Sequence, residues 1–334
     1  MTRVGELSEG QILKRIVPIL PTGDYTGLGS GDDAAVVAAP GGNFVVTTDV
    51  LVEGVHFRTD WSTGFEVGAR AAAQNLADIA AMAARPTALV VSLVLPPQLE
   101  MSWVEDLAAG LSAVVFPTGA GVVGGDLSRG EQIVVSVTAH GRLGGPPVTR
   151  AGASTGDTLA VVGSLGYSAA GYAALDSGAV SPALHGVDVP YPFTKPLEVY
   201  RMPHPPLAAG PLAAQRGATA MMDISDGLVV DARRMAEASG VAIDISRYGL
   251  QHDASELSEA AAALGADPYD WILYGAEDHG LLVTFPPYVL VTEPFRTIGT
   301  VGAFDPTRSA AGERVTMEGR PLGKGWDHFH SSLG

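Results

Sequence analysis

The chain contains no cysteine, and lysine occurs at only three positions, Lys14, Lys195 and Lys324. The absence of thiols excludes disulfides, iron–sulfur clusters, thiolate zinc sites and cysteine nucleophiles. None of the lysines stands in a G-x-x-x-x-G-K-[ST] context, so a P-loop is excluded as well. Long hydrophobic runs are also missing. The longest strongly apolar stretch, residues 88–95, stops at Pro96-Pro97 and is far too short to span a bilayer. The N-terminus, M-T-R-V-G-E-L-S-E-G, lacks the apolar core of a signal peptide. A cytoplasmic protein without a membrane partner is expected.

Basic charge is scarce overall: 20 Lys and Arg stand against 36 Asp and Glu, for a net charge of −16. Nucleic acid is therefore not an expected partner, because its phosphates are held by basic side chains. Solubility is the ordinary cause of such acidity. Part of the acidity is grouped, however. Aspartates recur in short motifs at strand ends or on a helix beside one: G-S-G-D-D-A-A (29–35), T-T-D (47–49), N-L-A-D (75–78), G-G-D (124–126) and D-I-S-D-G-L (223–228). That grouping suits an enzyme that handles phosphate through hard divalent cations gathered on carboxylates.

A chain of 334 residues exceeds one ordinary core and predicts two domains. Gly144-Gly145-Pro146-Pro147 marks the boundary, giving residues 1–145 and 146–334. In the first half the patterning predicts helices over 8–20, 63–84 and 102–116. Strands are predicted at 34–39, 43–48, 87–95, 122–123 and 132–141. In the second half it predicts strands at 158–162, 219–222, 241–245, 280–285 and 297–301. Helices are predicted at 168–177, 207–215, 227–239 and 255–264, with a Pro- and His-rich loop over 181–206. The fold class is α/β of the α+β type, not a strict β-α-β repeat.

G-L-G-S-G-D-D looks like a dinucleotide fingerprint, but turn formers precede it and strand formers follow, so a Rossmann loop is rejected. Asp33 stands at the mouth of the first strand and Asp49 at the end of the next. If these strands form a hairpin through Pro40-Gly41-Gly42, the two carboxylates meet and need a counter-charge. Asn75 and Asp78 share one face of an otherwise apolar helix, where a carboxylate is costly unless paired or metal-bound. The glycines before Asp126 let a ligand approach the backbone closely. Asp223 ends a strand, and Ser225 or Asp226 is expected to cap the helix that follows. Asp223 and Asp226 could share a cation, with the helix N-terminus facing phosphate. Together these carboxylates exceed the needs of one magnesium ion, so several ions are implied. Arg150 is either a phosphate clamp or an ordinary surface arginine.

Seven motifs, in order between residues 6 and 329, resemble the thiamine-monophosphate kinase family of the aminoimidazole ribonucleotide synthetase superfamily. They are G-S-G-D-D-A-A-V, T-T-D-V-L-V-E-G-V-H-F, N-L-A-D-I-A-A-M, G-G-D, T-R-A-G-A, D-I-S-D-G-L and G-W-D-H-F. The resemblance implies an N-terminal ATP-, magnesium- and dimer-forming domain, whose mixed sheet is packed by helices and pairs with that of a second subunit. It implies a C-terminal α+β domain that completes the ATP and substrate site. It also implies phosphorylation of thiamine monophosphate to thiamine diphosphate by ATP. Carried over by motif, Asp33, Thr47, Thr48, Asp49, Asp78, Asp126, Asp223 and Asp226 match magnesium positions. Gly125, Asp126, Arg150 and Ser225 match ATP contacts, and His56, Glu277 and Trp326 match positions around the thiamine substrate. Asp126, Asp226 and Arg150 are the expected catalytic residues. Two stretches depart from the family. Gly275-Ala276-Glu277-Asp278-His279 replaces G-G-E-D-Y, and Met202-Pro203-His204-Pro205-Pro206 replaces R-P-x-P-R.

The mechanism this suggests is direct in-line transfer without a lysine or a covalent intermediate, driven by positioning and charge neutralisation. Relatives that depend on a reactive cysteine are excluded by composition. Aminoimidazole ribonucleotide synthetase and a non-catalytic ATP–magnesium sensor remain as rivals, to be separated by substrate swap and by turnover.

Overall fold

The structure, a computed structural model, describes residues 2–28, 36–306 and 313–323. The chain divides into two compact units: Met1–Ile79 with Ala84–Gly145, and Ala80–Ala83 with Pro146–Gly334. No described helix is long and apolar enough to cross a membrane.

In chain order the first unit holds α1 (Glu9–Ile16), β1 (Thr26–Leu28), β2 (Val36–Val37), β3 (Phe44–Val52) and α2 (Gly64–Ala81). It continues with β4 (Ala84–Leu95), α3 (Met101–Val115), β5 (Gly121–Arg129) and β6 (Val134–Leu143). Among the described residues, the strands form a four-stranded sheet in the order β3-β6-β4-β5 and a separate β1-β2 pair. β4 and β5 run parallel and the other pairs antiparallel, so the sheet is mixed. Burial alternates residue by residue along β6, which is the period-two signature of a sheet with one covered face. The covered face carries Leu51, Leu89, Val91, Val135 and Val137; the other face leaves Phe44, Val46 and Val50 about half exposed. The alanine-rich α2 is buried nearly all round, from Ala69 through Ile79, which explains why its sequence lacks a polar stripe.

The hairpin expected between the strands flanking Pro40-Gly41-Gly42 does not form. β2 pairs with β1, whereas β3 pairs with β6 along all nine residues, from Phe44 opposite Arg142 to Val52 opposite Val134. A long strand with one buried face gains far more from a register-matched partner than from a two-residue neighbour. The short strand expected at 122–123 is also longer: β5 runs on through both glycines to Arg129, paired with β4 apart from a register shift at Val123.

The second unit holds β7 (Thr158–Val162), α4 (Tyr167–Asp176), α5 (Thr194–Arg201), α6 (Ala209–Gln215), β8 (Ala220–Ile224) and α7 (Leu228–Ser239). These are followed by β9 (Val241–Ile245), α8 (Gln251–Leu264), α9 (Pro268–Tyr274), β10 (Gly280–Phe285), β11 (Arg296–Ala303), β12 (Val315–Met317) and β13 (Arg320–Pro321). Their sheet, among the described residues, has the order β13-β12-β9-β11-β7-β10-β8. Leu159, Val161, Met222, Ile224, Leu282 and Val301 of the sheet pack with Leu228, Val229 and Met235 of α7. Two helices were not anticipated. α5 lies inside the Pro- and His-rich stretch, where the buried Arg201 ties it to the carbonyls of Pro182 and Leu184 at 2.8 and 2.7 Å. α9 is short, opened by Pro268 and capped by Asp267, whose carboxylate accepts the Tyr269 N–H at 2.9 Å.

Candidate active site

In the first unit the acidic motifs of β3 and α2 meet. Alternation along β3 turns Thr47 and Asp49 toward the half-buried side and Thr48 to the exposed one. Thr47 Oγ1 donates to Asp78 Oδ2 at 2.6 Å, and the Asp49 N–H donates to Asn75 Oδ1 at 3.1 Å. Asn75 is fully buried and spends its amide donor on the Ala71 carbonyl at 2.9 Å. A buried asparagine so engaged fixes β3 against α2 and sets Asp49 and Asp78 on adjoining elements. Thr48 instead donates to the Val137 carbonyl at 3.0 Å, so its hydroxyl is not brought together with the other two.

Asp126 lies on β5, opposite Ser92 of β4, which in turn pairs with Ser136 of β6 and so falls in the row of Val50. That row puts Asp126 on the exposed side, one row from Asp49. Its carboxylate receives the Ser128 hydroxyl at 3.4 Å and is otherwise open to solvent. Gly125 is required by packing: a Cβ there would stand 1.9 Å from the Val91 carbonyl oxygen. His56 closes a tight loop after β3. Its Nδ1 accepts the Val52 N–H at 3.1 Å, which makes Nε2 the protonated nitrogen of the neutral ring. Glu53 braces the same loop by accepting from Thr59 Oγ1 at 2.9 Å and from the Ile133 N–H at 3.3 Å.

In the second unit the D-I-S-D-G-L motif spans the turn from β8 to α7. The expected side-chain cap is absent: Gly227 takes the N-cap position at φ 105°, and neither Ser225 nor Asp226 does. A Cβ at Gly227 would meet the Tyr274 carbonyl oxygen at 3.0 Å, so the turn demands glycine twice over. The turn is stitched to the strand start of β10. The Glu277 N–H donates to the Ser225 carbonyl at 2.8 Å, and the His279 N–H to the Ile224 carbonyl at 3.1 Å. Glu277 and His279 both take positive φ, 67° and 54°, a strained conformation for residues with side chains. Between them Asp278 is buried and accepts the N–H groups of Gly166, Tyr167 and Ser168 at the start of α4. His279 Nδ1 lies 3.4 Å from Asp223 Oδ2, and both residues are buried.

Thus the structure brings Asp223, Ser225, Asp226 and Glu277 together at one edge of the second unit's sheet, and Thr47, Asp49 and Asp78 together in the first unit. Arg150 is exposed, and its guanidinium has no hydrogen bond or ion pair among the described residues. Asp33 and Trp326 lie outside the described residues. Among those described, no three carboxylate or imidazole groups converge closely enough to hold a metal ion by themselves. Sequence reasoning did not single out Asp231, Arg234 or the capping role of Asp278. For Asp231 the available signal was its position five residues after Asp226, one helical turn inward.

Comparison with known proteins gives this fold its class. Residues 31–143 match the family model of AIR synthase related protein, N-terminal domain, and residues 154–288 match that of AIR synthase related protein, C-terminal domain. Within that class the relatives are specific. A thiamine-monophosphate kinase of Mycobacterium tuberculosis is 48% identical over 82% of this chain and 79% of its own length. That of Corynebacterium glutamicum is 40% identical over 98% and 95%. A solved structure of AaThiL complexed with AMPPCP and TMP is 31% identical, with a TM-score of 0.76, covering 98% of this chain and 99% of that one. The chain belongs to the thiamine-monophosphate kinase family.

Proposed function

We propose that this chain transfers the γ-phosphoryl group of ATP to the phosphate of thiamine monophosphate, giving thiamine diphosphate and ADP. The observation that carries the reading is the 40% identity to a thiamine-monophosphate kinase across 98% of the chain. The clustering of the carboxylate motifs within each unit supports it. A phosphate oxygen of thiamine monophosphate attacks the γ-phosphorus in line, and the bond from that phosphorus to the bridging oxygen of ADP breaks. The attacking oxygen is already ionised at neutral pH, so no strong general base is needed.

The donor chemistry fits magnesium, which takes oxygen ligands and binds through one or two carboxylates plus waters and substrate phosphates, not through an all-protein cage. The pairs described above, with no larger convergence among the described residues, suit that habit. Asp33, Thr47, Thr48, Asp49, Asp78, Asp126, Asp223 and Asp226 would hold several such ions. When bound, the ions neutralise phosphate charge that this lysine-poor chain does not neutralise with ammonium groups. Gly125 lets the nucleotide approach the backbone, Asp126 and Ser225 contact it, and the exposed Arg150 clamps a phosphate oxygen. His56 offers Nε2–H, Glu277 a carboxylate, and Trp326 an aromatic face to the thiamine moiety. Residues 1–145 supply nucleotide, magnesium and dimer contacts with His56 toward the substrate, and residues 146–334 the remaining nucleotide, magnesium and substrate contacts. Two copies associate through the exposed sheet face bearing Phe44, Val46 and Val50, which is more apolar than a solvated sheet face needs to be. The compartment is the cytoplasm, where ATP is available.

Purified protein incubated with ATP, magnesium and thiamine monophosphate should form thiamine diphosphate and ADP in equal amounts, with both abolished by chelator. ADP formed only with the ribonucleotide precursor of aminoimidazole ribonucleotide would move the assignment to the sister enzyme. Asp126→Asn should lower turnover by about a hundredfold or more without loss of fold, since its side chain is exposed and its one hydrogen bond among the described residues is the long one from Ser128.

A further inference from the structure

The strand-to-helix turn that carries Asp223 and Asp226 is anchored from below. Asp231, one turn into α7, has none of its surface exposed. Its Oδ2 accepts the backbone N–H of Asp226 at 3.0 Å, and its Oδ1 accepts from Arg234 Nη1 at 2.8 Å. The same Arg234 nitrogen lies 2.5 Å from Oδ2 of Asp226. One guanidinium therefore joins a buried carboxylate to the half-buried carboxylate of the turn, while the buried carboxylate grips the backbone of the turn. Burying that carboxyl costs desolvation, and the nearby charge of Asp223 adds to the cost. A carboxylate buried at such cost beside two others is a poor device for stability alone. An ordinary N-cap would satisfy the first turn of α7 at less cost. What this arrangement does, and a cap would not, is set where the Asp226 side chain points.

We infer that Asp231 and Arg234 are positioning residues for Asp226, fixing the turn and the direction of the carboxylate that meets the divalent cation. The inference rests on the kinase reading, in which Asp226 is one of the magnesium-holding oxygens. Asp231 acts through the backbone N–H and through Arg234; Arg234 acts directly on Asp226 Oδ2. The Arg234 side chain is 43% exposed, so its ion pairs add little to folding. Its removal should be felt by the cation more than by the fold.

The test uses the full chain and compares Arg234→Gln, Arg234→Lys and Asp231→Asn with wild type and with Asp226→Asn. Two quantities are read. One is the magnesium concentration that half-saturates the melting-temperature shift with a non-hydrolysable ATP analogue; the other is the split between kcat and KM for magnesium–ATP. Arg234→Gln and Asp231→Asn should raise the half-saturating magnesium about ten- to a hundredfold, as loss of an outer-shell partner does at metal sites. Both should lower kcat in the same direction as Asp226→Asn. Arg234→Lys, which keeps a charge near Asp226, should recover part of the affinity. Wild-type magnesium dependence and kcat in Arg234→Gln would overturn the inference. A lower melting temperature without magnesium, at unchanged half-saturation, would also overturn it by assigning a structural role. Arg234→Gln lies on the exposed side of the network and keeps the test readable where Asp231→Asn fails to fold. If wild type makes no thiamine diphosphate, the kinase reading falls; if wild type does so and the variants bind magnesium normally, only the positioning role falls.

Discussion

Asp278 caps α4 from 112 residues further along the chain. Its Oδ2 accepts the Gly166 N–H at 2.8 Å, and its Oδ1 accepts those of Tyr167 and Ser168 at 3.0 and 3.2 Å. The N-cap position itself is Gly166, which has no side chain to do this. Asp278→Ala strands three donors at the helix start. Hydrogen bonds to a charged acceptor contribute about 1.5–3 kcal/mol each, so about 4–9 kcal/mol is at stake. Charge burial opposes this. Desolvation pushes the Asp278 carboxyl up from 3.8 to about 6. That shift already includes the lowering by the three backbone N–H groups, so burial outweighs them in setting the protonation of the carboxyl. Truncation leaves those buried N–H groups without an acceptor, so a net destabilisation of about 1–3 kcal/mol is expected, read as a lower urea midpoint.

The pH dependence gives a sharper check on the same residue. The folded pKa lies above the unfolded one, so the native state keeps a proton that the unfolded chain releases. Its stabilising contribution is fully present below the unfolded value and is lost as pH rises through about 6. The stability gap between wild type and Asp278→Ala should therefore narrow by roughly 1 kcal/mol from about pH 5.5 to about pH 7.5. A gap that widens with pH, or a urea midpoint equal to that of wild type, would refute the reasoning.

Other substitutions probe the first unit. Gly125→Ala drives a Cβ to 1.9 Å from the Val91 carbonyl oxygen in the middle of the β4–β5 pairing; it should cost about 1–3 kcal/mol, visible as a lower urea midpoint. Asn75→Leu leaves the half-buried Asp49 N–H without its acceptor; a loss of about 1–3 kcal/mol is expected by denaturant titration, together with a raised KM for magnesium–ATP. Under the proposed pairing of two copies through the exposed sheet face, Val46→Asp puts a charge into the interface; sedimentation should report a shift from dimer to monomer with the far-ultraviolet spectrum unchanged, and an unshifted dimer would exclude that face as the interface.

Much of the chemistry was legible in the chain because it rests on local pattern. The missing cysteines and scarce lysines removed whole reaction classes. The spacing of Asn75 and Asp78 put them on one helix face; the glycines before Asp126 read as room for a ligand, whereas at Gly125 the structure shows the close approach of the neighbouring strand at Val91. The ordered motifs sufficed to suggest the family that the comparisons establish. What stayed hidden depends on partners distant in the chain. β3 could be recognised as a strand, but only the competition between a two-residue neighbour and a nine-residue one decided that it pairs with β6. The expected cap at Ser225 or Asp226 was a sound local reading, overruled by the close approach of Tyr274 to Gly227. The grip of Asp231 on the Asp226 turn, the reach of Asp278 to α4 and the strained backbone at Glu277 and His279 likewise left no local trace. Periodicity and propensity are written into neighbouring residues, and so the sequence alone could determine elements and reaction class. Which strand edges pair, and which buried carboxylates find donors, is settled by groups far apart in the chain, and only the tertiary structure brings those groups within hydrogen-bonding distance.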